Sequence, residues 1–305
     1  MDYAEDRKAW LVNYYFRHHL DCAMGGLFRG KPYCHILKGC EGMEGEEKTT
    51  KQKDLMKKSL ILPFPISAES ASFSFDDNPT PIKPHIYAHH LNSSQVFCIN
   101  YFHPLCVHSR YDILKKLLKA WEIDINGEIS VTQFERVECA KEGTNFDFYI
   151  ETTEGEKVFI EVKYTEREFG KKSSKSEPRR DLYEARFDAS LYLKDFKLSN
   201  NADNEKLFLT NYQIIRNVSY ITSKKEYVLF LYPEQNRLLA NKSPDKVLEK
   251  IMPKTQNAPN VKIAYSDKVV TDLEKATKRM KDRDELLNYY KKFYEMYFGN
   301  TERSK

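Results

Sequence analysis

Apolar side chains recur along this chain with two different periods. Between Asn145 and Lys163 they fall on every second residue: Phe146, Phe148 and Ile150 alternate with Asp147, Tyr149 and Glu151, and Val158, Ile160 and Val162 alternate with Phe159, Glu161 and Lys163. A period of two is the signature of strands, and Glu154 with Gly155 between the arms supplies a turn, so the pattern predicts a β-hairpin with its aliphatic face on even positions. For both even faces to share one side of the sheet the register must be even, and a turn centred on Glu154 sets Asp147 opposite Glu161. Lys163 follows two residues later on the same face. That face is expected to be polar and open, so replacing its residues should cost little stability.

Helical spacing takes over elsewhere. A helix is expected over 9–20, rich in Tyr14, Tyr15 and Phe16. Asn92 is the expected N-cap, with Gln95 completing a capping box, for a helix carrying Val96, Phe97, Ile99, Asn100 and Phe102 and ended by His103 and Pro104. An amphipathic helix over 110–121 buries Ile113, Leu114, Leu117 and Leu118, and a strand over 130–139 leads into the hairpin. Beyond it the pattern gives a helix over 205–220 and a strand over 227–231. That strand is apolar throughout, as a central strand covered on both faces would be. A last helix over 282–298 carries Leu286, Tyr289, Tyr290, Phe293, Tyr294, Tyr297 and Phe298 and stops near Gly299. Residues 41–58 are strongly charged and 63–84 hold Pro63, Pro65, Pro79, Pro81 and Pro84, which reads as connecting structure. The organisation expected is a helical and connecting region over 1–84, a core domain over 85–235 and a mainly helical extension over 236–305.

Composition narrows the class. With 305 residues, 41% of them hydrophobic and 13% aromatic, the chain can bury a large core and is not a disordered polymer. A net charge of +4 is too weak to establish a polyanion partner, so any such interaction rests on local charge. The start, Met1 to Lys8, does not read as a signal peptide, and no run of about 18 apolar residues occurs, which points to a cytoplasmic protein without a membrane span. Six cysteines follow no disulfide rhythm and read as reduced thiols. Cys22, Cys34 and Cys40 with His18, His19 or His35 lack the paired spacing of a zinc site.

The hairpin carries the chemistry. Two directly opposed carboxylates, Asp147 and Glu161, repel one another unless a proton or cation sits between them. Mg²⁺ answers that need, since it takes hard oxygen ligands from one or two carboxylates, keeps several waters and binds phosphate. Lys163 should remain an ammonium, suited to orienting an attacking water and neutralising charge on a phosphorus centre. The competing reading is a half-exposed hairpin with an ordinary charged outer face. At 31% charged residues, chance Glu-x-Lys triplets are expected. Glu46-Glu47-Lys48 is one, without strand alternation or an acidic strand upstream.

Asp147 followed by Glu161-Val162-Lys163 on a hydrophobic strand resembles the PD-(D/E)XK nuclease superfamily. Asn92 to Gln95 leading into Val96 to Asn100, Tyr164-Thr165-Glu166 after the lysine, and Tyr212 to Asn217 resemble a restriction-endonuclease-like branch of it, over about 85–232. Phe146 stands where the name-giving proline would be. The resemblance implies an α/β (α+β) fold with an αβββαβ core, a central mixed sheet flanked by helices, and additions at both ends. It also implies Mg²⁺-dependent hydrolysis of DNA, with Mn²⁺ as a substitute. Asp147, Glu161 and the Val162 carbonyl would be the metal ligands, Lys163 the charge-stabilising residue and Gln213 a fourth site residue. Gln213, Arg216, Asn217 and Tyr220 form a helical polar stripe that could face the carboxylates. Lys171, Lys172, Lys175, Arg179 and Arg180 lie in the loop beyond the site strand and are candidates for backbone contacts with duplex DNA. Glu166 is either a further ligand or a partner of Lys163. A homodimer is compatible with this reading. A nuclease of repair or recombination, and a DNA-binding module that has lost catalysis, are the alternatives.

Overall fold

The computed structural model describes residues 2–18, 23–61, 74–76, 81–106, 110–142, 144–173, 180–199, 201–252, 257–278 and 283–299. In chain order the elements are α1 (Tyr3–His18), β1 (Met24–Phe28), β2 (Lys31–Leu37), α2 (Gly45–Lys58), α3 (Ser94–Phe102), α4 (Tyr111–Ala120), β3 (Ile129–Cys139), β4 (Thr144–Thr152), β5 (Lys157–Val162), α5 (Arg180–Ala189), α6 (Ala202–Thr210), α7 (Tyr212–Val218), β6 (Glu226–Tyr232), α8 (Arg237–Ala240), α9 (Pro244–Ile251), β7 (Val261–Tyr265), α10 (Val269–Ala276) and α11 (Arg283–Phe298). The fold is mixed α and β, with a five-stranded sheet in the order β3-β4-β5-β6-β7. Two compact units divide the chain. The first holds residues 1–117, 133–148 and 267–305, and the second holds 118–132 and 149–266. Among the described residues no helix is long and apolar enough to cross a membrane.

In the second unit, β5 runs parallel to β6 and β6 parallel to β7, while β4 turns into β5 through a tight hairpin. Thr152 N donates to Glu156 O at 3.0 Å and Gly155 N to Thr152 O at 3.0 Å, and Gly155 takes φ +74°, a conformation glycine adopts without a steric penalty. The turn around Glu154 is thus where the alternation places it. It is clamped from below, because the Glu156 carboxylate accepts from Asn126 N, Gly127 N and Thr152 Oγ1. Gly127 is required there, since a Cβ would lie 2.7 Å from Thr152 Oγ1.

The expectation of an open polar face is overturned. Tyr149, Phe159 and Glu161, all on odd positions, are buried, as are Val158, Ile160 and Val162 on the other side. β5 is an interior strand between β4 and β6, covered on both faces, and its pairing with β6 brings together segments more than sixty residues apart in sequence. The helix expected over 205–220 is two helices, α6 and α7, broken at Asn211, where the backbone departs from helical geometry (φ −118°, ψ 34°) and the Asn211 amide bonds back to Leu207 O at 3.0 Å. An unexpected helix, α5, begins at Arg180, the last residue of the basic loop.

The first unit holds helices, a small hairpin and parts of β3 and β4. β1 and β2 are antiparallel around Arg29 and Gly30, both at positive φ. α1 packs on α11, where Trp10 Nε1 donates to the carbonyls of Glu295 and Met296 and Arg7 Nη1 donates to Phe298 O at 2.7 Å, satisfying acceptors that a helix end leaves open. The aromatics of α11 are core: Phe97 of α3 sits 5.1 Å from Phe293 and 4.7 Å from Tyr297, ring centre to ring centre. Of the aromatics on α1, Tyr15 is buried and Phe16 is exposed. α3 is capped by Ser93, whose hydroxyl accepts from Val96 N, so the expected Asn92 cap is displaced by one residue. Gln95 does not close a capping box. Its amide bridges His85 N, Lys83 O and Glu135 Oε1, tying a loop and a strand to the helix.

A group of histidines lies beside β2. Leu37 N donates to His89 O and Leu91 N to His35 O, and the rings of His35 and His90 stand 5.8 Å apart. Burial, then the nearby Lys8, lowers His35 to about 4, and burial, then His89 and His35, lowers His90 to about 3.

Candidate active site

Glu161 is the centre of the second unit's polar chemistry. Strand alternation puts Glu161 and Lys163 on one face of β5, and parallel pairing fixes both: Glu161 aligns with Phe230, and Lys163 N donates to Leu231 O at 2.9 Å. The Lys163 ammonium lies 2.7 Å from Glu161 Oε1. The carboxylate side chain is 1% exposed and the lysine 11%. Removing an ionised carboxylate from water costs several kcal/mol unless charge and hydrogen bonds replace the lost hydration. Here they do so on both oxygens.

The replacement comes from α7. Gln213 Nε2 donates to Oε1 at 2.5 Å and Asn217 Nδ2 to Oε2 at 3.0 Å, four residues apart and therefore on one helical face. Arg216 Nη2 stands 3.9 Å from Oε2, and its guanidinium donates to Asn217 Oδ1, which turns the Asn217 amide so that its NH₂ points at the carboxylate. Gln213 is held from behind as well. Its Oε1 accepts from Gly170 N at 3.0 Å and its backbone N donates to Gly170 O at 3.0 Å. A Cβ at residue 170 would come 3.1 Å from that Oε1, so the absence of a side chain lets the loop approach this closely. The helical polar stripe therefore does converge on Glu161. Asn217 also reaches its carboxylate and Arg216 stands within ion-pair distance, which only their spacing signalled in sequence.

The other candidate residues are placed as follows. Asp147 is half-buried on β4, and its backbone carbonyl accepts from Cys98 Sγ at 3.6 Å. Val162 is fully buried in the sheet. The Glu166 carboxylate accepts from Tyr164 N at 2.6 Å, and Asn236 Nδ2 donates to the carbonyls of Tyr164 and Glu166, so this segment forms a stapled turn after β5. Lys171 pairs with Glu168 at 2.9 Å, and the Lys172 ammonium sits over the Tyr212 ring at 4.1 Å. Lys175 and Arg179 lie outside the described residues. Arg180 opens α5, and its side chain is likewise outside them. Cys22 and His19 are also outside. Among the described residues no group of three or more His, Cys, Asp or Glu side chains is placed to hold a metal ion.

Residues 14–298 match the model of the family described as Restriction Endonuclease associating with ARP, and the chain belongs to that family. No curated protein and no solved structure matches the chain.

Proposed function

We propose that this family member is a metal-dependent DNA endonuclease of the PD-(D/E)XK type, hydrolysing phosphodiester bonds on an αβββαβ core. The observation that carries the reading is the Glu161 cluster: an interior strand position, 1% exposed, holds a carboxylate with a lysine 2.7 Å away on a face where the neighbouring Phe159 is buried as an apolar residue. A buried ion pair adds little stability over a hydrophobic replacement, so its presence favours chemistry over packing. DNA as the substrate follows from the family's description, which also names association with ARP.

The donor set suits a hard cation. Glu161 Oε2 has one amide donor at hydrogen-bonding distance, and a carboxylate has about four lone-pair sites, so coordination capacity remains. Glu161, Asp147 and the Val162 carbonyl would hold Mg²⁺ or Mn²⁺. The bound cation would neutralise phosphate charge and lower the pKa of its water. Gln213 and Asn217 hold the Glu161 carboxylate in one orientation. Lys163, as an ammonium, supplies positive charge to the pentavalent phosphorus centre and orients the attacking water.

Purified protein incubated with plasmid, linear duplex and single-stranded DNA tests the reading. Cleavage should require Mg²⁺ or Mn²⁺, stop with a chelator and return on adding back the metal. Full cleavage in excess chelator, or by Glu161→Gln, overturns it.

A further inference from the structure

A cavity of about 350 Å³ opens within the second unit. Its apolar wall is Phe169, Leu207 and Ile214, and three ammonium groups, on Lys206, Lys242 and Lys250, come to it from α6, from the turn before α9 and from α9. Phe169 and Ile214 are the chain neighbours of Gly170 and Gln213, whose mutual hydrogen bonds hold the amide on Glu161. The cavity wall and the support of the carboxylate are one piece of structure.

Charge decides what the cavity takes. Its acidic residues are Glu168 and Asp203. Glu168 is matched twice, by Lys171 at 2.9 Å and Lys242 at 3.0 Å, and these two hydrogen bonds hold its carboxyl below the usual range. That leaves Asp203 as the one other acidic lining residue against Lys206 and Lys250, so the lining carries a net positive charge. Lysine is a point-charge binder of phosphate, and a cavity of this size accommodates a phosphate with its sugar against an apolar wall.

We propose that this cavity is a phosphate-binding subsite that grips the DNA backbone beside the Glu161 cluster. Its ligand rests on the nuclease reading, whereas its geometry does not. A free nucleotide offers the same phosphate chemistry, so the test separates the two.

Lys206→Ala/Lys250→Ala is the variant of choice, because both side chains are exposed and neither belongs to the Glu161 cluster. Anisotropy titrations of a labelled duplex at several salt concentrations, with Ca²⁺ suppressing cleavage, are run with adenosine monophosphate as competitor. The double variant should bind duplex about tenfold or more weakly, with the slope of log affinity against log salt shallower by roughly two. Cleavage at saturating DNA should stay within about twofold of the parent, since no reacting group is removed. Unchanged affinity and slope overturn the subsite. A loss confined to adenosine monophosphate makes the cavity a free-nucleotide site and overturns the backbone assignment. The two readings fail separately: a parent protein that binds duplex through these lysines but never cuts leaves the subsite standing without the nuclease, and one that cuts while the variant binds normally leaves the nuclease without the subsite.

Discussion

Each unit buries a polar side chain within its packing, and the two are wired differently. In the first unit Asn100 donates to Ser59 O at 3.0 Å and to the Tyr297 hydroxyl at 2.8 Å, accepts from Ile61 N at 2.9 Å, and has its backbone carbonyl capped by Tyr289. The group is neutral, its amide donors are both used, and its partners are mostly main chain, so it staples the 59–61 segment, α3 and α11 together. In the second unit Glu161 is paired with Lys163, and among the described residues every partner within hydrogen-bonding distance is a side chain, from Lys163, Gln213 and Asn217. Side chains turn away from an anion far more easily than backbone does. The first arrangement fixes architecture, and the second is held by groups that can rotate away.

The largest effect should come from removing the charge at the second centre. Glu161→Gln should lower cleavage by about 10³-fold or more, and Lys163→Ala by about 10²–10³-fold, measured as single-turnover rates on duplex DNA. Contrary to the expectation of an open face, Glu161→Gln should also destabilise the protein, by about 3–5 kcal/mol in denaturant unfolding, because Lys163 and the nearby Arg216 lose a buried partner. Unfolding midpoints equal to the parent's would erase the contrast between the two centres.

Asn100→Leu should invert that profile. It leaves Ser59 O, Ile61 N and the Tyr297 hydroxyl without their partner, at a cost of roughly 2–4 kcal/mol, while the cleavage rate per folded molecule should change little. Active-site titration alongside unfolding curves checks both halves. A rate loss as deep as that of Lys163→Ala would make the first centre functional too.

Gly170→Ala sharpens the comparison from the supporting loop. A methyl group 3.1 Å from Gln213 Oε1 forces the amide to shift, and cleavage should drop by about tenfold with the unfolding midpoint nearly unchanged. Gln213→Ala should match it. If the alanine at 170 has no kinetic effect, the clamp behind the amide is irrelevant to rate.

The smallest effect separates the units by acid. All eight histidines precede residue 109, so the second unit contains none. Burial keeps His35 and His90 neutral until pH about 4 and about 3, while in the unfolded chain they protonate from about 6.5 downward. Their contribution is complete above pH 6.5 and is lost as pH falls toward 4. In the second unit the carboxyls of Glu156 and Glu168 are lowered from 4.5, so their contribution declines only below that value. Trp10 reports on the first unit and Trp121 on the second. Unfolding of the single-tryptophan proteins Trp121→Phe and Trp10→Phe between pH 6.5 and 4.5 should show loss at Trp10 only, and equal loss at both would refute the assignment.

Much of this was legible in sequence where a local period carries it. The alternation from Phe146 to Val162 and the turn at Glu154 and Gly155 placed the hairpin, and the continuous apolar run of β6 marked an interior strand. What alternation cannot reveal is which strand lies alongside β5. With β6 beside it and α7 over it, the face holding Glu161 is sealed, and an apparently solvated stripe becomes a buried ionic cluster. The convergence of Gln213 and Asn217 was visible as a helical stripe, yet the break at Asn211 was not, because apolar spacing runs through it while the Asn211 backbone turns out of the helix and its amide bonds back to Leu207 O. The Gly170 clamp has no sequence signature, since it depends on a loop approaching a helix 43 residues further on.

The parallel pairing of β5 with β6 also bears on how the protein is made. Synthesis proceeds from the N-terminus, so when Glu161 leaves the ribosome the residues that will surround it, Gln213, Asn217 and the strand ending at Tyr232, have not been polymerised. A nascent or prematurely terminated chain ending before α7 carries the carboxylate and the lysine without their enclosure. The enclosed cluster can therefore assemble only after translation has passed residue 232.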